Sequence, residues 1–324
     1  MEKRKLGNLE VSSMGFGCMG LSHAYGTAME KSQAIAVLKE AYEMGYTLFD
    51  TAECYTGIFE DGSISYNEEI VGEALQRVRD KVVISSKFGV RTAKDKSLQL
   101  DSRSETIRSS VEESLKKLKT DHIDLYYQHR IDPKTTPEEV AATMKDLIKE
   151  GKILHWGISE TTEEYLRRAH AVCPVTAVQN RYSMMARWHQ SLFPVVEELN
   201  IGFVAFSPMA NGFLTAKYDQ NSRFDGNSDY RTFMPQYTEE GMKKGKDVLT
   251  LLETLAKEKN ATPAQISLAW MLCQKPWIVP IPGSRKIARL EENKKAASIE
   301  ISADEIDKIN AALDKMDVLV FGGH

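Results

Sequence analysis

The chain has 324 residues, with 42 Lys plus Arg against 46 Asp plus Glu and a net charge of −4, and no block of like charge is long enough to act as a nucleic-acid stripe. Hydrophobic residues make up 42% and charged residues 27%, the balance of an ordinary globular chain, and no apolar run approaches the ~18 residues a membrane span needs. Neither nucleic acid nor membrane is an expected partner, and because MEKRKLGNLE has no apolar stretch behind its basic residues, a soluble cytoplasmic protein without a signal peptide is expected.

In chain order, short apolar runs alternate with amphipathic stretches, the pattern of βαβ units on a parallel sheet. The opening KLGNLEVSS centres on Gly7-Asn8 and predicts a small hairpin. Strands are predicted at 14–19 (MGFGCM), 46–50 (YTLFD), 82–87 (VVISSK), 124–129 (DLYYQH), 155–159 (HWGIS), 177–180 (AVQN), 202–207 (GFVAFS) and 277–282 (WIVPIP). Between them run helical spacings such as EKSQAIAVLKEAYEMG, SETIRSSVEESLKKLK and TPEEVAATMKDLIKEG. Capping boxes are predicted for Ser102 with Glu105, Thr136 with Glu139, Thr161 with Glu164, Thr262 with Gln265 and Ser302 with Glu305, and Pro137 and Pro263 suit first-turn positions. Extra helices are expected at about 263–274 and 302–316, and the polar stretch 218–239 reads as a long surface loop, either a lid over bound ligand or a plain insertion. Eight strand-helix pairs predict a single domain over residues 1–324: an α/β, (β/α)8 TIM barrel with an N-terminal β-hairpin and extra C-terminal helices.

In that architecture ligands meet the loops at the C-terminal ends of the strands. Those ends are polar here: Asp50, Lys87, His129, Ser159, Gln179 and Ser207. Tyr55, five residues beyond Asp50, adds a phenol to a carboxylate, an ammonium and an imidazole around one mouth. A tyrosine titrates near pH ~10 in water and needs a nearby cation to give up its proton at neutral pH. Lys87 supplies that charge, Asp50 holds the ammonium, and His129 hydrogen-bonds the substrate oxygen or relays its proton. Such a set protonates a developing alkoxide without a metal, and the chain has neither HExxH nor CxxC spacing among Cys18, Cys54, Cys173 and Cys273. His23, His122, His155, His170, His189 and His324 read as surface or packing residues.

Residues 15–20, GFGCMG, formally satisfy GxGxxG, and Asp50 closes the next strand as a ribose-binding acid would. The third glycine of that motif opens a helix, whereas the helical period here begins only near Glu30, so close approach of backbone to a ligand is the better account. IPGSRKIARLEEN (281–293) passes from the last strand through a glycine into a helix whose N–H groups suit an anion. Arg285 and Arg289, one helical turn apart, are expected to face one phosphate, and Glu292 and Asn293 to reach an adenine amine. SPMANGFLTAK (207–217) brings Ser207, Gly212 and Lys217 to a diphosphate path. Two phosphate-suited segments beside one mouth point to a dinucleotide with an extra phosphate.

Over nearly its whole length the chain resembles the aldo-keto reductases: GFGCMG, LFDTAECYTG, NEEIVGEAL, ISSKFG, LYYQHRID, HWGIS, AVQNRYS, FSPMANGFLTAK and IPGSRKIARLEEN stand in that family's order and spacing. GCMGLSHAYG is similar to a branch of microbial and plant reductases. The resemblance implies a barrel that can work as a monomer, with an oligomer possible but not required, and that reduces small-molecule aldehydes or ketones to alcohols with NADPH, returning NADP+. By matching motifs it makes Asp50, Tyr55, Lys87 and His129 a catalytic tetrad. It sets Ser159 and Gln179 on the nicotinamide amide, Phe206 on the nicotinamide ring, Ser284, Arg285 and Arg289 on the 2′-phosphate, and Glu292 and Asn293 on adenine. Further cofactor contacts implied on the same segments are Met19, Ser207, Pro208, Met209, Gly212, Leu214 and Lys217, with Pro282 and Gly283. Glu160 stands where many members have Asn, and Gly283 where several branches carry a phosphate-binding Lys, which leaves more of the charge to the two arginines. The loop TGIFEDGSISYNEE and the tail VLVFGGH are expected to shape the substrate pocket, and Met185 with Trp188, after the sixth strand, read either as lining it or as surface packing. A barrel that holds NADPH as a redox sensor or regulatory subunit is the alternative, and the intact Asp-Tyr-Lys-His set argues against it.

Overall fold

A computed structural model describes residues 1–92, 97–224 and 228–323. Eight strands pair in parallel and in chain order: β1 (Phe16–Gly17), β2 (Leu48–Asp50), β3 (Val83–Phe88), β4 (Ile123–Gln128), β5 (Ile153–Ser159), β6 (Ala177–Arg181), β7 (Gly202–Phe206) and β8 (Ile278–Pro280). Gly15 N donates to Pro280 O at 2.9 Å and Gly17 N to Pro282 O at 3.4 Å, so the first strand meets the last and the cylinder closes. This seam requires glycine: a Cβ on Gly17 would lie 2.6 Å from Ile281 O, and one on Gly283 would lie 2.4 Å from Gly17 O. All eight predicted strands are present. The first is shorter than the predicted 14–19 because Met19–Leu21 coils into a 3-10 turn, and the sixth runs on to Arg181.

Helices α1 (Lys31–Glu43), α2 (Asn67–Leu75), α3 (Ser104–Leu118), α4 (Pro137–Lys149), α5 (Glu163–Val172) and α6 (Phe193–Glu198) separate successive strands. Between β7 and β8 come α7 (Glu239–Lys244), α8 (Lys246–Glu258) and α9 (Pro263–Gln274), and α10 (Ile287–Lys295) and α11 (Ala303–Leu313) follow β8. Apolar stripes at helical spacing face the sheet, as Ala34, Val37, Leu38 and Ala41 do in α1. α9 is buried from Ala264 to Leu272, because α8 and α11 both pack on it and Trp270 Nε1 donates to Asn310 Oδ1 of α11 at 2.9 Å.

Capping boxes form at Thr136–Glu139, Thr262–Gln265 and Ser302–Glu305, with Pro137 and Pro263 in the first turns. The other two predicted boxes do not form. Ser102 is buried one residue too early for α3, its N–H donating to Asp132 Oδ2 and its Oγ accepting from Gln128 Nε2, both at 3.0 Å. At α5 the cap is Thr162, which accepts from Tyr165 N at 3.3 Å, while Thr161 turns its hydroxyl to Thr162 O.

Inside the cylinder Leu48, Leu125, Tyr127, Val204 and Val279 cluster with Leu6 and Val11. The last two come from the predicted hairpin, Lys3–Leu6 against Leu9–Ser12, which plugs the end where the strands begin. Arg4 fastens the plug by donating to the carbonyls of Leu272, Lys275 and Ile278. The opposite end is left to the loops. There the stretch after β7 is not a free surface loop: its second half forms 3-10 turns at Tyr230–Phe233 and Pro235–Tyr237, Asp229 bridges to Tyr25, and Tyr230 N donates to Ala24 O at 2.8 Å. Residues 225–227 of that stretch, and His324, lie outside the described residues. No described helix is long and apolar enough to cross a membrane.

Candidate active site

Asp50 ends β2, Lys87 stands one residue before the end of β3, and His129 directly follows β4. Tyr55 lies in the loop after β2, just ahead of the antiparallel pair Thr56–Ile58 and Ile64–Tyr66. The fold brings these four side chains together. Lys87, fully buried, directs its ammonium donors to Asp50 Oδ1 (2.5 Å), Thr51 O (2.8 Å) and Tyr55 OH (3.2 Å). Asp50 Oδ2 accepts from Ser85 Oγ at 2.7 Å and from Gln179 Nε2 at 2.8 Å. The pair is thus satisfied on both sides, the condition under which a buried ion pair is tolerated. Burial alone would depress the Lys87 ammonium, yet Asp50 and then Tyr55 hold it above its ordinary value.

The phenol is shielded from solvent as well as paired with the ammonium. Burial pushes Tyr55 up to about 12, since Asp50 and Cys54 oppose the downward pull of Lys87. Tyr55 therefore keeps its proton throughout the neutral range, and Lys87, its Nζ 4.8 Å from the ring centroid, favours the phenolate only as it forms. His129 lies edge-on to Tyr55, the rings 5.8 Å apart at 85°, and its Nδ1 meets Cys54 Sγ at 3.5 Å. Burial, followed by the Lys87 and Arg130 charges, holds the imidazole well below its ordinary value, so it is neutral near pH 7.

His23 packs against this group from the loop after β1. Its ring stacks on Tyr55 with centroids 6.0 Å apart and planes 19° apart. Its Nδ1 lies 2.7 Å from Thr56 O, and its Nε2 lies 3.2 Å from Tyr230 OH in the returning stretch. A carbonyl only accepts, so Nδ1 carries the proton and Nε2 accepts from Tyr230. Position alone carried the sequence signal: His23 follows β1, at the barrel end where all such loops meet.

The residues expected to hold a cofactor flank this cluster. Ser159 ends β5 and accepts from Arg130 Nη1 at 3.1 Å, while Gln179 is drawn into the Asp50 ion pair. Phe206 ends β7, with the Arg181 guanidinium 4.9 Å from its ring centroid. Ser207, Pro208 and Met209 lead into the turn Ala210–Thr215, which contains Gly212 and Leu214, and positive φ at Ser207 (+51°) and Gly212 (+100°) bends the chain around the rim. Met19 opens the 3-10 turn after β1. Across the seam, Pro282, Gly283 and Ser284 run towards α10, with Arg285 ahead of that helix and Arg289 in its first turn.

The two arginines are therefore not stacked on one helix as their spacing suggested. Arg285 Nε instead reaches over the seam to Gly20 O at 2.6 Å, and its buried Nη2 has no hydrogen-bond partner. An orphaned buried donor beside a helix start fits a phosphate ligand. Lys217 pairs with Glu292 at 3.8 Å, the other Glu292 oxygen accepts from Thr262 Oγ1 at 2.7 Å, and Asn293 is buried. Met185 is buried in the core rather than lining the mouth, whereas Trp188 is exposed. Among the described residues no three His, Cys, Asp or Glu side chains are grouped to hold a metal ion.

The sequence profile of the Aldo/keto reductase family matches residues 13–314. The chain belongs to that family. This aldo-keto reductase is 38% identical to the probable aldo-keto reductase 1 of Glycine max, over 97% of its own length and 89% of that relative's. It is 35% identical to the NADP(+)-designated aldo-keto reductase yakc of Schizosaccharomyces pombe, over 98% and 92% of the two chains. Among solved structures it matches the glycerol dehydrogenase of Gluconobacter oxydans with a TM-score of 0.85 and 25% identity, covering 97% and 95% of the two chains. Membership makes it an oxidoreductase, of a family that reduces carbonyl groups of small molecules with a nicotinamide cofactor.

Proposed function

We propose that this aldo-keto reductase, working as one domain, reduces an aldehyde or ketone to the alcohol with NADPH and that Tyr55 is its general acid. The observation that carries the reading is the hydrogen-bonded series from Asp50 through Lys87 to Tyr55, which ends on a protonated phenol at the barrel mouth. Neutral His129 directs an N–H to the carbonyl oxygen, Tyr55 hands its proton to the alkoxide as that charge grows, and Lys87 stabilises the phenolate left behind. Asp50 keeps the ammonium in place. Bound along the rim, NADPH supplies the hydride that the carbonyl carbon receives.

In this reading Phe206 offers a face to the nicotinamide, and Ser159 and Gln179 exchange their present partners for its amide. Met19, Ser207, Pro208, Met209, Gly212 and Leu214 line the path outward. Pro282 and Gly283 lead to Ser284, Arg285 and Arg289 at the 2′-phosphate, Lys217 serves the diphosphate path, and Glu292 and Asn293 lie at the adenine end. The partnerless Arg285 Nη2 and the NADP(+) in the fission-yeast relative's name support the phosphorylated cofactor.

NADPH oxidation with 4-nitrobenzaldehyde tests the mechanism. Tyr55→Phe should lose about 10²- to 10⁴-fold in kcat while binding NADPH normally, and undiminished turnover would remove Tyr55 from the chemistry. Cofactor choice has its own test: Arg285→Ala with Arg289→Ala should weaken NADPH far more than NADH, since only NADPH carries the 2′-phosphate, and equal losses would contradict the assignment.

A further inference from the structure

Two guanidinium groups beside the tetrad have no carboxylate of their own. Arg130 directly follows His129, and its Nη1 donates to His129 O at 2.6 Å and to Ser159 Oγ at 3.1 Å. Arg181 ends β6, is only 8% exposed, and has as its side-chain hydrogen-bond partner Asn211 Oδ1 at a long 3.4 Å. Both cations face one ring: Arg181 lies 4.9 Å and Arg130 5.9 Å from the Phe206 centroid, and Arg181 also lies 5.3 Å from Phe321 in the tail.

Neither arginine forms an ion pair among the described residues, because the nearby acids are engaged elsewhere. Glu160 accepts from the Arg181 backbone N–H at 2.8 Å and lies 3.5 Å from His189 Nε2, and Asp50 is taken up by Lys87. Burial pushes the Arg181 guanidinium below its ordinary value, with Glu160 pulling the other way and Arg130 adding to the depression. Two like charges held in a part-buried mouth cost free energy that an anion would offset. In the proposed function the 2′-phosphate has Ser284, Arg285 and Arg289 across the seam and the diphosphate has Lys217 and the turn after β7, which leaves the anion of this pair to the substrate.

Resting on that reading, we propose that Arg130 and Arg181 bind a carboxylate of the substrate, so that this enzyme prefers carbonyl compounds bearing a carboxylate and releases hydroxy acids. The planar guanidinium matches a carboxylate with paired N–H donors, and the bond from Arg130 to His129 O keeps the anion within short reach of the carbonyl oxygen.

The test compares 4-carboxybenzaldehyde with its neutral methyl ester, whose more electron-withdrawing group makes it the intrinsically more reactive aldehyde. The wild type should favour the acid by at least about tenfold in kcat/KM, and the preference should shrink as salt rises from about 0.05 to 0.5 M. Arg130→Gln and Arg181→Gln should each lower the acid-to-ester ratio by about tenfold, and Arg181→Lys should retain part of it. Equal use of both aldehydes, or a ratio unmoved by either Gln variant, overturns the inference. So does a loss of NADPH affinity in the Gln variants with the ratio unchanged, which would assign the pair to the cofactor phosphates. If neither aldehyde is reduced, the proposed function fails on its own account, and calorimetry with benzoate and methyl benzoate then reads the anion site directly. Benzoate binding that disappears in Arg181→Gln supports the site, and equal binding of both compounds refutes it.

Discussion

Lys87 and Asp50 owe their stability to each other. Removing the ammonium alone leaves a carboxylate buried with two neutral donors, so Lys87→Met should cost about 3–5 kcal/mol and abolish reduction, whereas Lys87→Met combined with Asp50→Asn should recover most of the stability and none of the activity. Chemical denaturation beside NADPH oxidation separates the two effects. His129 makes a pH prediction. Its imidazole is held well below its ordinary value, so below about pH 6.5 the unfolded chain takes up a proton that the native site refuses, and native stability falls as the medium is acidified. Half-buried Glu53 and buried Glu68, both raised above the ordinary carboxylate value by desolvation, act in the opposite sense over part of that window, so the His129 share must be isolated by difference. Wild type minus His129→Asn should change by up to about 1.4 kcal/mol per pH unit below 6.5, and a flat difference would mean that the ring takes up its proton in the fold. Asp50, Lys87 and His129 were legible in the sequence because polar residues that close apolar runs mark strand ends. The state of the Tyr55 phenol was not, since it depends on burial, and neither was the place of His23, whose partner Tyr230 stands 207 positions further along the chain.

At the level of elements, helix starts show where local pattern suffices and where it does not. Thr136 and Ser102 carry the same spacing to a glutamate, but Asp132 and Gln128 claim Ser102 from outside its own helix, and only Thr136 caps. Thr136→Ala should therefore cost about 1 kcal/mol and leave NADPH affinity untouched. Thr262 is built differently. Its hydroxyl accepts from Gln265 N at 3.3 Å and donates to Glu292 Oε1 at 2.7 Å, and Gln265 Nε2 donates to Glu292 O at 2.9 Å, so the cap of α9 also anchors α10. Thr262→Ala should cost about 1–2 kcal/mol and weaken NADPH as well, because α10 carries Arg289 and Asn293. Urea denaturation and a fluorescence titration with NADPH distinguish the two variants, and an unchanged NADPH affinity in Thr262→Ala would show that α10 holds its position without the anchor. The sequence exposed the box but not its second partner, which lies 30 residues away.

For the molecule as a whole, the eight-strand order was readable from alternating runs, whereas the closure of the barrel rests on contacts between the two ends of the chain. Gly17 faces Ile281 and Gly283 so closely that a methyl group would sit 2.6 Å from a carbonyl oxygen, a distance relieved only by drawing β1 away from β8. That movement would stretch the bond from Gly17 N to Pro282 O, already 3.4 Å long, and shift Gly20, which receives Arg285 across the same seam. Gly17→Ala should therefore destabilise the fold by about 1–3 kcal/mol and loosen amide protection in β1 and β8 ahead of the rest of the sheet. In the proposed binding mode NADPH is gripped from both sides of the seam and binds only the closed form, so saturating NADPH should raise the stability of the wild type by about 2.7 kcal/mol at a hundred times its Kd and raise that of Gly17→Ala by less at the same concentration. Thermal unfolding with and without NADPH measures both quantities. An equal gain in the two proteins would place the cofactor on one side of the seam, and an unaltered melting temperature in Gly17→Ala would mean that the two end strands have room to part without loss.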